Sequence, residues 1–232
     1  MNPTVERELK LDVDPIGALK LIDALPVMID KNGWPQKPCL TQINYDRYFD
    51  KLLPTGVFML QSNDSYVRVR KTVWPITFRE AEFVAYRKLN EAAYGRPAEI
   101  FDYEISVLKT KEIIQELFKD MPDKLYPSAP EAIGPIENLE SMGLTEIVRL
   151  KCERSVFPIA LSDQPNDMVK VKIDMFSFKS RKDKLFGQVE VDYYNPNLFD
   201  LASQIFKTIH GMPGLSAQYS SKSKLTIGME LI

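Results

Sequence analysis

Hydrophobic and polar positions alternate with a period of two in one short segment after another. In VERELKL (5–11), Glu6, Glu8 and Lys10 fall between Val5, Arg7, Leu9 and Leu11. The period places the three charges on one face of a strand. YVRVRK sets Arg68 and Arg70 against Val67 and Val69, IFDYEISV sets Asp102 and Glu104 against Phe101, Tyr103 and Ile105, VKVKID sets Lys170, Lys172 and Asp174 against Val169, Val171 and Ile173, and QVEVDY sets Glu190 and Asp192 against Val189 and Val191. Further strands are predicted over INYDRYFD, EFVAYRKLN (82–90), IFDYEISVL (100–108), TEIVRLKCERSVF (145–157), MVKVKIDMFSF (168–178), FGQVEVDYY (186–194) and SSKSKLTIG (220–228). FMLQS, the turn SNDS and YVRVRK resemble a hairpin.

Helical periodicity appears at DPIGALKLIDAL (14–25), with Asp14 as N-cap and Pro15 in the first turn. It recurs at KTKEIIQELFKDM (109–121), IENLESMG (136–143) and NPNLFDLASQIFKTIHG (195–211). The stretch 26–44 reads as a loop, and no weak linker divides the chain, so residues 1–232 are expected to form one α+β domain with a helical insertion at about 109–142.

Composition narrows the chemistry. The 232 residues carry 30 basic and 32 acidic side chains, a net charge of −2, so no global field points to duplex nucleic acid or a membrane. No stretch has the pattern of a leader or an apolar span, which leads to the expectation of a cytoplasmic protein. Cys39 and Cys152 are too few for a disulfide framework or a structural zinc site. His210 is the single histidine, and its place in TIHGMPG assigns it to a loop or to packing, which leaves carboxylates, lysines and arginines to do any chemistry.

Those charges are segregated by strand. Acid-rich faces (Glu6/Glu8, Asp102/Glu104, Glu190/Asp192) alternate along the chain with base-rich ones (Arg68/Arg70, Lys170/Lys172, Lys222/Lys224). A solvated sheet face also alternates, but exposed ion pairs add only about 0–1 kcal/mol each. The expected architecture is therefore a closed antiparallel β-barrel, its charged faces lining a wet lumen and its apolar faces covered by helices. A lumen that offers cations and carboxylates together suits a metal-bound polyphosphate. Hard divalent ions such as Mg2+ or Mn2+ take carboxylate and phosphate oxygens, while Arg and Lys hold the phosphates.

In this order the residues resemble the CYTH family, the triphosphate tunnel metalloenzymes. The N-terminal ExExK strand is matched by Glu6, Glu8 and Lys10. Tyr48-Phe49-Asp50, Arg68-x-Arg70, Tyr86-Arg87-Lys88, Glu104, Lys151 to Arg154, Asp174, Glu190-x-Asp192 and Lys222-Ser223-Lys224 follow over nearly the whole chain. The resemblance implies an eight-stranded tunnel and hydrolysis of inorganic triphosphate or of a small organic or nucleoside triphosphate. It implies a metal set drawn from Glu6, Glu8, Glu104, Asp174, Glu190 and Asp192, with Mg2+ or Mn2+ as cofactor. Substrate would be held by Lys10, Arg68, Arg70, Lys88, Lys151, Arg154, Lys172, Lys222 and Lys224, and Glu6, Glu8, Lys10, Arg68, Arg70 and Glu190 would be catalytic. In the family one ion orients the phosphate chain and a second can activate water.

The chain departs from the family pattern in places. Asp192 stands where Glu is usual, FDYEISV carries fewer glutamates, and KCER puts Glu153 beside Arg154. Lys151 and Arg154 can share a face only through a bulge, and Arg87 competes with Lys88 for the lumen. A class IV adenylyl cyclase, an RNA 5'-triphosphatase, a thiamine triphosphatase and a non-catalytic polyphosphate or nucleotide-binding module stay open as alternatives, as does a monomer or a homodimer.

Overall fold

A computed structural model describes residues 4–90, 98–105, 134–162, 164 and 166–231. The strands are β1 (Thr4–Val13), β2 (Leu40–Asp50), β3 (Ser65–Trp74), β4 (Arg79–Asn90), β5 (Ala98–Ile105), β6 (Thr145–Ala160), β7 (Met168–Phe178), β8 (Arg181–Tyr193) and β9 (Ala217–Tyr219). The helices are α1 (Pro15–Lys31), α2 (Pro135–Ser141), α3 (Phe199–His210) and α4 (Lys224–Met229). The predicted helix over 109–121, and the insertion up to residue 133, lie outside the described residues.

The eight-stranded closed barrel expected from the sequence is corrected. One antiparallel sheet of nine strands runs in the order β5-β4-β3-β2-β6-β7-β8-β1-β9. The reason lies in β1. One edge pairs with β8, whereas the other is divided: Thr4–Glu8 faces β5 and Leu11–Val13 faces the short β9. The sheet is curled, with β9 as an added edge strand.

Period-two alternation sorts the faces as the sequence implied. Leu9, Leu11, Val13, Val169, Val171, Ile173, Val189 and Val191 share an apolar layer with α1 (Leu21, Leu25, Ile29) and α3 (Ala202, Ile205, Phe206, Ile209). A second layer packs Phe49, Val67, Val69, Val84 and Tyr86 against Leu139 and Met142 at α2. Asp14 caps α1, its carboxylate accepting from Gly17 N at 2.8 Å, and the helix runs past the predicted end at residue 25 to Lys31. No helix among the described residues is long and apolar enough to cross a membrane.

Two predicted elements change type. FMLQS forms no strand: β2 ends at Asp50, whose carboxylate accepts from the backbone N–H groups of Lys51, Leu60 and Gln61 at 2.7, 2.8 and 3.0 Å, so a capped loop replaces the hairpin. The last predicted strand, 220–228, is largely helical. Ser223 N-caps α4, its hydroxyl accepting from Thr226 N at 3.1 Å, and Leu225 enters an apolar cluster with Tyr48, Tyr66, Val148, Leu150, Phe176 and Phe178. Burial of that short apolar face outweighs the alternation that KSKLTIG shows on paper.

Candidate active site

The face of the sheet opposite α1 and α3 carries the ionisable side chains of β1, β2, β3, β6, β7 and β8. Cross-strand register explains their convergence. Glu8 lies opposite Asp192, Lys10 opposite Glu190, Lys172 opposite Glu190, and Arg154 opposite Asp174. A cavity of about 160 Å3 is lined by Glu6, Glu8, Lys10, Tyr48, Tyr66, Arg68, Arg70, Arg87, Ile100, Arg154, Lys172, Glu190, Tyr194, Ser223 and Lys224.

Most of these charges are held in a buried lattice. Arg154 makes a fork onto Asp174, Nε to Oδ1 at 2.7 Å and Nη2 to Oδ2 at 2.6 Å, and Nη2 also donates to Glu190 Oε2 at 2.8 Å. Arg70 makes the same fork onto Asp46, both bonds 2.6 Å. Lys172 donates to Glu6 Oε1 at 2.9 Å and contacts Asp192, while Arg87 Nη2 stands 3.7 Å from Glu6 Oε2. Lys224 reaches in from α4 to contact Glu190, with Asp174 Oδ2 at 2.8 Å and Gln188 Oε1 at 3.0 Å. Lys10 contacts Glu8.

Burial and pairing oppose each other at Glu6, Asp46, Glu190 and Lys172, and pairing prevails at the three carboxylates. Burial disfavours the charged form of Glu6, but Lys172 and Arg87 hold its carboxyl down at about 2. Burial likewise opposes Asp46, which Arg70 brings to about 2. Glu190 is buried too, and Lys224, Arg154, Lys10 and Lys172 hold it well below the usual carboxylate range. Lys172 is the exception: burial outweighs Glu6 and lowers its ammonium from the ordinary value.

Three carboxylates converge beside the forks. One oxygen from each of Glu8, Glu190 and Asp192 lies within 4.8 Å of the other two, and all three residues are buried. Glu8 Oε1 and both Asp192 oxygens accept no hydrogen bond of normal geometry among the described residues; their close cations are Lys10 and Lys172. A cluster of buried, hard oxygen donors, under-satisfied at Glu8 and Asp192, fits a divalent cation of the Mg2+ or Mn2+ class.

Seven cations, Lys10, Arg68, Arg70, Arg87, Arg154, Lys172 and Lys224, share this space with six carboxylates, Glu6, Glu8, Asp46, Asp174, Glu190 and Asp192, among the described residues. The protein alone is thus close to neutral here. The Nε of Arg68 is buried with no hydrogen-bond partner among the described residues.

Several predicted site residues do not join the cavity. Lys151 faces away from it and pairs with Glu153 at 2.8 Å, because β6 runs from Lys151 to Arg154 without a bulge and a spacing of three puts them on opposite faces. Lys88 is exposed, and Arg87, one residue earlier, takes the inner position opposite Tyr66. Lys222 precedes α4 and pairs with Glu230 at the surface, which leaves Lys224 alone to enter. Asp174 pairs with Arg154 and Lys224, and Glu6 with Lys172 and Arg87; neither belongs to the carboxylate trio. The Glu104 side chain lies outside the described residues.

Asp46, Tyr66 and Tyr194 line or support the site without having been singled out in the sequence, and Tyr48 was quoted only within Tyr48-Phe49-Asp50, with no role assigned. For Asp46 and Tyr48 the signal was present: continuing the alternation of β2 back from Asp50 selects them. His210 ends α3 with its ring 4.8 Å from that of Tyr219, a packing position.

No protein-family model matches the chain, and no curated protein matches it in sequence. Solved structures resemble it in fold. The PH1819 protein from Pyrococcus horikoshii OT3 superposes with a TM-score of 0.55 at 14% identity, covering 97% of this chain and 98% of that one. The PH1012 protein from the same organism gives 0.46 at 17% identity, covering 98% and 99%. The Mimivirus capping enzyme triphosphatase gives 0.45 at 8% identity, covering 89% and 90%. The first of these likenesses is one of fold alone.

Proposed function

We propose that this protein is a divalent-metal-dependent triphosphatase that holds the phosphates of its substrate in the charged cavity and hydrolyses a phosphoanhydride bond. One observation carries the reading: the buried trio Glu8, Glu190 and Asp192 sits within a wall of lysines and arginines. A structural ion-pair lattice would pair every carboxylate and every guanidinium, yet Glu8 Oε1, both Asp192 oxygens and Arg68 Nε stay unsatisfied.

Glu8, Glu190 and Asp192 would hold Mg2+ or Mn2+, and the bound ion supplies the positive charge that polarises a phosphate oxygen and offsets the substrate's own charge. The near balance of the cavity favours that requirement, since a triphosphate adds several negative charges that the side chains alone do not cancel.

Arg68 offers its guanidinium, whose Nε has no hydrogen-bond partner among the described residues, to a phosphate directly. Asp46 and Asp174 fix the planes of Arg70 and Arg154, so these forks are oriented before an anion arrives. Lys10, Lys172 and Lys224 hold carboxylates through flexible stems and can turn toward phosphate oxygens, where they stabilise charge that develops on the leaving group. Glu6 sets the position of Lys172 and Arg87 in this reading.

Release of orthophosphate from tripolyphosphate, ATP, GTP, thiamine triphosphate and RNA with a 5'-triphosphate end, with Mg2+ or Mn2+, tests the reading. Release from at least one of them, abolished by EDTA, is expected. Cyclic AMP with pyrophosphate from ATP, or no turnover of any substrate with either ion, would overturn it.

A further inference from the structure

The outward residues of β2 and its neighbours form a second surface that the cavity chemistry does not use. Tyr45 lies directly opposite Lys71 on β3 and Lys151 on β6, and Lys151 lies opposite Ser177 on β7, so one row across four strands reads Lys, Tyr, Lys, Ser. In the next row Arg47 faces Arg149, the turn after β7 adds Lys179, and the start of β8 adds Lys182. Tyr45, Arg47, Arg149, Lys151, Lys179 and Lys182 line a depression of about 440 Å3. Tyr45 is 43% exposed there, so its ring is open to solvent.

The charge of this surface is one-sided. Glu80, Glu146 and Glu153 pair with Lys71, with Arg47 and Arg149, and with Lys151. Lys179 and Lys182 have no ion pair among the described residues, and at the start of β8 Lys182 lies between Arg181 and Asp183, with Lys184 following. A protein of net charge −2 therefore carries a local excess of cations around one exposed ring.

We propose that this face binds single-stranded RNA, with a base stacked on Tyr45 and the flanking phosphates on Lys151, Lys179 and Lys182. A ring level with cations on a sheet surface serves both parts of an unpaired nucleotide, the π-face and the phosphate. An acidic peptide would engage the lysines and leave the ring without a role. A duplex keeps its bases stacked away from such a ring, and RNA is the nucleic acid that commonly presents unpaired bases. The inference rests on the outer face alone and is independent of triphosphate hydrolysis.

Fluorescence anisotropy of the full chain with a short labelled oligouridylate lacking a 5'-triphosphate provides the test. Binding is expected to weaken about tenfold in Tyr45→Ala and to persist within about twofold in Tyr45→Phe, which retains the ring. The paired change Lys179→Gln with Lys182→Gln should flatten the dependence of log K on log salt by roughly one to one and a half. At constant ionic strength, tripolyphosphate just sufficient to fill the cavity should leave the complex largely intact, because the two ligands occupy different faces. Absence of binding, indifference to Tyr45→Ala, displacement by tripolyphosphate, or tighter binding of oligothymidylate would each overturn the proposal.

Discussion

Arg154 Nη2 donates to Glu190 Oε2 at 2.8 Å while Lys224 holds the other oxygen of the same carboxylate, so Glu190 joins β6, β8 and the C-terminal helix at one point. It also belongs to the carboxylate trio. Glu190→Gln removes the charge with little change in shape. It should lower phosphate release by at least about 100-fold. It should also destabilise the fold by about 3–5 kcal/mol, because Arg154 and Lys224 lose their shared counter-charge. Parallel turnover and denaturant titrations check both effects, and retention of wild-type turnover in a folded variant would remove Glu190 from the site.

Delivery of Lys224 depends on α4, and α4 depends on close packing at Gly228. A Cβ at that position would stand 2.7 Å from Phe178 Cε1 and 2.7 Å from Val148 Cγ1, both of them in the cluster that α4 covers. Gly228→Ala should therefore displace the helix. The expected result is a loss of about 1–3 kcal/mol together with a several-fold rise in KM, although no charged group is altered. Calorimetry with steady-state kinetics would show it; an unchanged KM would mean that Lys224 tolerates movement of its helix.

Much of this site was legible in the sequence because strand alternation is a local rule. Glu6, Glu8, Lys10, Arg68, Arg70, Lys172 and Glu190 share the cavity-lining face that period two assigned them. Illegible were features set by tertiary partners. Whether Arg87 or Lys88 faces inward depends on the register of β4 with β3, and whether Lys222 or Lys224 enters depends on Ser223 capping a helix that Leu225 anchors in a distant cluster. The divided edge of β1 depends on β9, three residues that carry almost no pattern of their own.

Those register choices yield a paired comparison. Arg87→Ala should raise KM for triphosphate about tenfold or more, since Arg87 lines the cavity and faces Glu6 at 3.7 Å. Lys88→Ala, Lys151→Ala and Lys222→Ala should each stay within about twofold of wild type, as expected for solvated positions. A loss in Lys88→Ala equal to that in Arg87→Ala would mean that the inner face of β4 is assigned wrongly.

Acid should unfold the protein through its buried carboxylates. Burial works against ionisation of Glu6 and Asp46, but their cationic partners hold both at about 2, against ordinary values of 4.5 and 3.8. The unfolded chain consequently takes up protons first as the pH falls. The stability contributed by these groups is complete above about pH 5, declines between about pH 4.5 and 2, and is absent below the folded values. Unfolding free energies measured from about pH 6 to 2 should follow that course. Asp46→Asn should be less stable at neutral pH, where Arg70 has lost its partner, and should show a shallower decline in acid.

Metal binding should be visible without turnover. Glu8 and Asp192 bring buried oxygens that lack normal hydrogen bonds, so in the free protein each pays desolvation that a cation would relieve. An ion that binds the folded state alone stabilises it by about 2.7 kcal/mol at 100 times its Kd, which for a chain of this size is a rise in Tm of roughly 5–10 °C. Mn2+ titration of the wild-type protein without any substrate should give a saturable rise of that order, reversed by EDTA. Glu8→Gln and Asp192→Asn should abolish the rise even where their own Tm in EDTA is unaltered or higher, since an amide relieves charge repulsion among the three acids while donating poorly to a hard cation. Glu6→Gln separates the two carboxylate roles: its oxygens are engaged by Lys172 and Arg87, so this variant should lose stability yet keep most of the Mn2+ response. A Mn2+ shift that survives in Glu8→Gln and vanishes in Glu6→Gln would place the ion on the other side of Lys172 and invert the assignment.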